Sequence, residues 1–99
     1  MGQTIAEIEA TGGAILGREI SVSFDGVVAR PDLYVRTAEG TVMCVEVKYG
    51  PTAAFTANQV AAYPAIVAGQ AVPVGANAAA ANLQVGVTLP ATVVKVILY

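Results

Sequence analysis

Three charged side chains of this chain stand in segments that are otherwise apolar. Asp32 follows a proline in Arg30-Pro31-Asp32, and Glu46 and Lys48 lie in the run Val42-Met43-Cys44-Val45-Glu46-Val47-Lys48. Only 12% of the residues are charged, so charges within such a run need a physical reason. Residues two apart in a strand point to the same face, and we therefore expect Glu46 and Lys48 to project together.

The chemistry that these three residues could perform follows from the cost of burying charge. A buried charge costs several kcal/mol unless it is paired or binds a metal. Two carboxylates that converge from neighbouring strands provide oxygen ligands of the kind that Mg²⁺ or Mn²⁺ prefers. A lysine beside them can orient a water molecule or stabilise negative charge that develops on a phosphate.

A second pair of polar residues follows on a segment with helical character. Gln59 and Tyr63 are four residues apart, which places them on one helical face. Together with Pro31-Asp32 and Glu46-Val47-Lys48, this pattern resembles the PD-(D/E)xK nuclease superfamily. The stretch from residue 46 to residue 69 also looks like the nuclease domains at the C-termini of bacterial polymorphic toxins.

The resemblance implies a role for each matching residue. Asp32 would be the bridging metal ligand and Glu46 the second ligand, and the backbone carbonyl of Val47 would bind the same metal. Lys48 would position or deprotonate the attacking water, or balance phosphate charge. Gln59 would contact a metal-bound water or the substrate phosphate.

Further residues are implied by the resemblance or by their position. Tyr63 would support Gln59 or stack on the substrate, and Arg30 is a candidate for a substrate contact. Superfamily members often bring a carboxylate from the first helix, here Glu7 or Glu9. The two lie on different faces of that helix, and Glu9 is favoured because Glu7 suits a capping box better.

The function implied by the resemblance is divalent-metal-dependent endonuclease activity with Mg²⁺ or Mn²⁺ as cofactor. DNA is the favoured substrate over RNA. The domain would act as an antibacterial toxin that is delivered into the cytoplasm of a target cell, and a cognate immunity protein would be its partner. We expect a soluble chain without a membrane partner, because neither a signal-peptide pattern nor a bilayer-spanning apolar run is present.

Each assignment has a structural alternative. Asp32 could cap a turn after Pro31, Lys48 could be a lysine at a strand end that reaches solvent, and Tyr63 could be a core aromatic. Glu7 and Glu9 could be solvated helix charges. For the whole domain, the alternatives are an RNA-directed nuclease of the same fold or a catalytically inactive protein-binding domain.

Composition excludes several other classes of site. Histidine is absent and cysteine occurs once, which excludes Ser-His-Asp and Cys-His hydrolases, histidine-based nucleases, Cys₄ zinc sites and internal disulfides within this chain. Cys44 is expected to be a small buried apolar side chain. The net charge of −2 is unusual for a generic nucleic-acid binder and favours the protein-binding alternative.

The order of elements predicts an α/β (α+β) fold, for which the resemblance implies a restriction-endonuclease-like core. It comprises a helix, a three-strand antiparallel meander, a helix and a strand, in a mixed sheet flanked by helices. We expect one domain, residues 1–99, which could be part of a longer polypeptide. The first predicted elements are a helix with N-cap Thr4 that ends at Gly12-Gly13 and strands 19–24, 27–36 (interrupted at Pro31) and 41–48. They are followed by a helix from Thr52 or Thr56 to Val67, closed by Gly69, and by a strand over 91–99. For residues 71–82 the sequence favours no single choice between strand, helical turn and loop.

Overall fold

The chain folds into an α+β structure with two sheets. The computed structural model describes residues 2–50 and 55–99. The elements of these residues are α1 (Gly2–Ala10), β1 (Ala14–Arg18), β2 (Ser21–Phe24), β3 (Val27–Ala29), β4 (Leu33–Arg36), β5 (Val42–Lys48), α2 (Ala57–Ala68), β6 (Val72–Val74), α3 (Ala76–Ala80) and β7 (Val93–Leu98). The predicted class, a mixed sheet with flanking helices, is confirmed.

The larger sheet has four strands in the order β1-β4-β5-β7. Strand β4 pairs antiparallel with both β1 and β5, and β7 pairs with β5 in parallel. A parallel pair needs a crossover connection, and the chain between β5 and β7 contains α2. Every residue of β5 is buried or half-buried, as expected for a central strand covered on both faces.

Apolar side chains cover both faces of this sheet. On one face, Ile5 and Ile8 of α1 pack against a cluster formed by Leu33, Val35, Val45 and Val47. On the other face, side chains of α2 pack against Tyr34 and Cys44. Alternation along β4 and β5 therefore sends odd-numbered residues towards α1 and even-numbered residues towards α2. Complete burial of a leucine such as Leu33 contributes about 1.5–3 kcal/mol.

Part of the predicted meander is wrong, because β2 and β3 belong to a second, smaller sheet with the order β3-β2-β6. The hairpin predicted at Asp25-Gly26 is present, and both residues have the positive φ that a tight two-residue turn requires. The predicted strand 27–36 is instead two strands in different sheets, β3 and β4. Pro31 lies between them because it cannot donate a ladder hydrogen bond.

The first strand of the larger sheet was not predicted. Strand β1 occupies residues 14–18, directly after Gly12-Gly13, and the predicted strand 19–24 is β2 of the smaller sheet. The pairing of β1 with β4 is irregular between Ile15 and Gly17. A short strand with such an irregularity has no clear period-two pattern, and its partner lies far along the sequence.

The two helix starts differ in how well the sequence predicted them. Thr4 is not an N-cap: α1 already includes it, its side chain is fully buried, and its Oγ1 lies 2.8 Å from the hydroxyl of Tyr99. Helix α2 does begin after Thr56, and Gly69 closes it with a φ of 75°. The alternative start at Thr52 lies outside the described residues.

Residues 71–82, for which the sequence favoured no single element, contain a strand and a short helix. Residues 72–74 form β6 and residues 76–80 form α3, and α2 continues through Pro64 to Ala68. The final predicted strand is confirmed as β7, within the range expected.

Candidate active site

Asp32 and Glu46 face one another across the β4–β5 pair. Leu33 pairs with Val45 and Tyr34 with Cys44, and continuing this register by one pair places Asp32 opposite Glu46. Both side chains belong to the even-numbered face, towards α2. The carboxylate of Asp32 also accepts a hydrogen bond from the backbone N–H of Val47, between Oδ2 and N at 2.7 Å. Asp32 is thereby fixed to the strand that carries Glu46.

Glu46 is the buried centre of a polar network. Its exposed fraction is 4%, and both of its carboxylate oxygens have partners. Oε1 accepts a hydrogen bond from Nε2 of Gln59 at 3.1 Å and lies 3.6 Å from Nζ of Lys48. Oε2 accepts a hydrogen bond from the hydroxyl of Tyr63. A buried carboxylate with this many donors is well satisfied, which is why the fold tolerates it.

Gln59 joins this network to the start of helix α2. The helix begins with a capping box, in which Thr56 Oγ1 accepts from the Gln59 N–H at 3.1 Å and Gln59 Oε1 accepts from the Thr56 N–H at 3.0 Å. Gln59 Oε1 accepts a second hydrogen bond, from Nζ of Lys48, at 2.8 Å. Its amide nitrogen is then directed at Glu46. A single side chain therefore caps the helix and orients two residues of β5.

Lys48 is half-buried and held on several sides. Besides Gln59 and Glu46, its ammonium group lies over the ring of Phe55, with Nζ 5.4 Å from the ring centroid. This separation is within the range of a cation–π contact. The alternative of a lysine that simply extends into solvent does not describe this side chain. Its charge lies beside the carboxylate of Glu46.

Burial and neighbouring charge shift the titration of this site. Burial is the largest cause of the raised pKa of Glu46, and the nearby carboxylate of Asp32 raises this pKa further. The hydrogen bond from Tyr63 and the charge of Lys48 both lower the pKa of Glu46. Burial followed by the bond to Glu46 raises the pKa of Tyr63, so that its hydroxyl remains a donor.

The residues present fit a small divalent cation in the type of their donor atoms. Mg²⁺ is commonly held by one or two carboxylates, with water and substrate phosphate completing its octahedron. Asp32 and Glu46 supply two. In the described part of the chain, no group of three or more Asp, Glu, His or Cys side chains is arranged to hold a metal.

The backbone of Val47 has the orientation that a contribution from its carbonyl requires. In an antiparallel ladder, the N–H and C=O of one residue point to the same neighbouring strand. The N–H of Val47 points at Asp32 of the β4 side, so the carbonyl does too. Pro31, which precedes Asp32, has no N–H with which to continue the ladder.

Other predicted site residues are not brought to the carboxylate pair. Glu7 and Glu9 are exposed on α1, which packs on the opposite face of the sheet from Glu46. Glu7 is within hydrogen-bonding distance of Gln3 and Tyr99.

Arg30 is exposed, two residues before Asp32. Tyr63 is buried, with its hydroxyl on Glu46, a position suited to supporting that carboxylate rather than to stacking.

Two features of the site were missed at the level of sequence. One is the capping box, although the pattern Thr56-Ala-Asn-Gln59 carries its signature. The other is Phe55, directly before that cap, whose ring meets Tyr63 edge-on with centroids 6.2 Å apart. Cys44 is fully buried as predicted, and burial raises the pKa of its thiol to about 12.

No family model, curated protein or solved structure matches this chain. Among the described residues, the helices are all too short or too polar to cross a lipid bilayer.

Proposed function

We propose that this chain is a nuclease domain of the PD-(D/E)xK type that hydrolyses phosphodiester bonds of DNA with Mg²⁺ or Mn²⁺. The observation that carries the proposal is the convergence of Asp32, Glu46 and Lys48 with Gln59 and Tyr63 on one face of the larger sheet. These are the five residues by which the sequence resembles that superfamily. A chance surface pair would leave both charges exposed, whereas Glu46 is buried and is bonded to both helical residues of the same motif.

The arrangement of elements gives the proposal further support. The larger sheet is preceded by α1, its first three strands are antiparallel, and α2 leads to a parallel fourth strand. This order agrees with the restriction-endonuclease-like core that the motif implies. In the proposed assignment, β2 and β3 form an insertion between the first and second core strands.

The residues divide the proposed reaction between them. Asp32 and Glu46 would hold the cation, with the carbonyl of Val47 as the third protein ligand. When bound, the cation would act as a Lewis acid that activates water and neutralises phosphate charge. Lys48, fixed by Gln59 and Phe55, places a positive charge where the phosphate gains negative charge. Tyr63 and Gln59 hold the carboxylate of Glu46 in one orientation.

Incubation of the purified protein with supercoiled plasmid and with total RNA tests this function. Cleavage is expected with Mg²⁺ or Mn²⁺ and not with EDTA, and cleavage of the plasmid should exceed that of RNA. Glu46→Gln and Lys48→Met should each lose about 10²–10³-fold in rate, the usual loss for one electrostatic group. Lys95→Met is the matched control, since Lys95 is exposed on β7 and not in the network. Undiminished cleavage by Lys48→Met would contradict the assignment.

The proposed biological role, an antibacterial toxin domain with an immunity protein, rests on the resemblance to polymorphic toxins. Expression in bacteria without such a partner should arrest growth, and Lys48→Met should relieve the arrest. If the wild type and Lys48→Met were equally toxic, the toxicity would not arise from the proposed nuclease activity.

The net charge of −2 favours a second candidate, a protein-binding domain without catalysis. Its described surface also exposes large apolar side chains such as Val60, Val93 and Leu98. This candidate predicts that neither EDTA nor Lys48→Met changes any measured function. The plasmid assay therefore decides between the two.

A further inference from the structure

An exposed aromatic ring lies beside the proposed catalytic lysine. Phe55 is 45% exposed, immediately before the N-cap of α2. Nζ of Lys48 lies over its ring, and the ring of Tyr63 meets it at an interplanar angle of 82°. These two contacts hold the position of the ring while nearly half of its surface remains in solvent. Exposure of a single apolar side chain is ordinary, and other large apolar residues of this chain are more exposed, so the fixed position of the ring beside Lys48 is the informative feature.

The surface around Phe55 is apolar. The ring borders a shallow hollow that is also lined by Gln59, Val60, Tyr63 and Pro64. The polar atoms of Gln59 and Tyr63 are already bonded to Glu46, Lys48 and Thr56. The hollow is therefore suited to a flat apolar surface, and not to recognition by a pattern of hydrogen bonds.

The charges of the chain limit how else a nucleic acid could be held. The sequence contains five Lys and Arg residues. Arg18, Arg30 and Lys48 lie towards the end of the larger sheet that carries Asp32. Arg36 is at the opposite end of β4, and Lys95 pairs with Val45, whose side chain faces α1. Proteins that grip duplex DNA through its backbone neutralise many phosphates. With three cations at most near the site, affinity needs another source.

We propose that Phe55 stacks on an unpaired base of the nucleotide whose phosphate lies at Lys48, and that the substrate is therefore single-stranded or locally unpaired DNA. The inference rests on the proposed function, because it takes the phosphate position from the nuclease site. Bases within a duplex are stacked on one another and offer no free face to a side chain. Stacking on an aromatic side chain tolerates any base, so no sequence preference is expected from this contact.

Binding of a fluorescein-labelled single-stranded oligonucleotide, measured by anisotropy in Ca²⁺, tests the role of the ring. Phe55→Leu should weaken binding about 5- to 150-fold, the usual range for one stacked base. Phe55→Trp should retain binding, because it keeps an aromatic face. Val67→Ala is the control, as Val67 is an exposed apolar residue of α2 that does not line the hollow. Thermal melts establish that all variants are folded.

A second measurement locates the stacked base. Oligonucleotides with an abasic site at successive positions should include one position at which wild type and Phe55→Leu bind equally, because the partner of the ring is then missing. Equal binding of wild type and Phe55→Leu to the intact single strand overturns the inference. So does binding of the matched duplex at least as tightly as the single strand.

The two proposals can fail separately. Metal-dependent cleavage of duplex DNA that is unaffected by Phe55→Leu would support the nuclease and overturn the stacking role. Binding of the single strand that depends on Phe55, without cleavage in Mg²⁺ or Mn²⁺, would support the stacking site and overturn the nuclease.

Discussion

Nε2 of Gln59 donates a hydrogen bond to Oε1 of Glu46 over 3.1 Å, and this bond connects helix α2 to strand β5. Because the other end of the same amide completes the helix cap, the start of α2 and the orientation of the buried carboxylate depend on one another. A substitution at the cap can therefore affect the site, and the two effects can be separated by choice of residue.

Gln59→Ala should reduce both stability and cleavage. It removes one half of the capping box and also the contacts to Glu46 and Lys48, so a buried carboxylate loses a donor at a cost of about 1–3 kcal/mol. Thr56→Ala is the matched variant, since it removes only the other half of the capping box, at about 1 kcal/mol, and keeps the contacts of Gln59 to Glu46 and Lys48. Urea unfolding and plasmid cleavage measure the two effects. If Thr56→Ala lowered cleavage as strongly as Gln59→Ala, the contacts of Gln59 within the site would have no separate role.

Stability of the metal-free protein should fall as pH rises above the ordinary carboxyl pKa. Burial and Asp32 raise the pKa of Glu46 in the folded state above its ordinary value of 4.5. In the interval above 4.5, the folded state keeps a proton that the unfolded state has lost, so rising pH favours unfolding. Urea unfolding in EDTA between about pH 5 and about pH 8 measures this slope. Glu46→Gln should make the free energy of unfolding less dependent on pH. If the slope were unchanged in Glu46→Gln, Glu46 would not be its cause.

Divalent cations should stabilise the fold through Asp32 and Glu46. A ligand that binds only the folded state adds about 2.7 kcal/mol at a concentration 100 times its Kd. Mg²⁺ or Mn²⁺ should therefore raise the thermal midpoint, and Asp32→Asn or Glu46→Gln should abolish that rise. Glu9→Gln should not, because Glu9 is on the helix that covers the other face of the sheet. If Glu9→Gln abolished the rise in thermal midpoint, Glu9 would be a metal ligand.

The shared faces of the candidate site residues could be predicted from the sequence more easily than the fold that positions them. Alternation along a strand is sufficient to place Glu46 and Lys48 on one face, and helical spacing places Gln59 and Tyr63 together. These are local relationships that depend on backbone geometry alone. The meeting of the two pairs was predicted from the motif, and the contacts at Glu46 are consistent with it.

The division into two sheets depended on distant pairing. Nothing within residues 14–18 indicates that they pair with β4, and nothing near Val72–Val74 indicates that they pair with β2. Thr4 illustrates the same limit, because a threonine followed three residues later by a glutamate is a valid capping signal. The contact between Thr4 and Tyr99, at the other end of the sequence, overrides that signal.

The parallel pairing of β5 with β7 also has a consequence for folding kinetics. Met43 pairs with Val93, fifty residues later, so the chain must close a long loop before this contact contributes any stability. Until that happens, β5 has an open edge. Glu46 is directly opposite Val96 of β7, so the backbone of β5 at this residue is paired with β4 alone until β7 docks. Folding should accordingly be slower than that of a helical domain of equal length, with β7 ordered late.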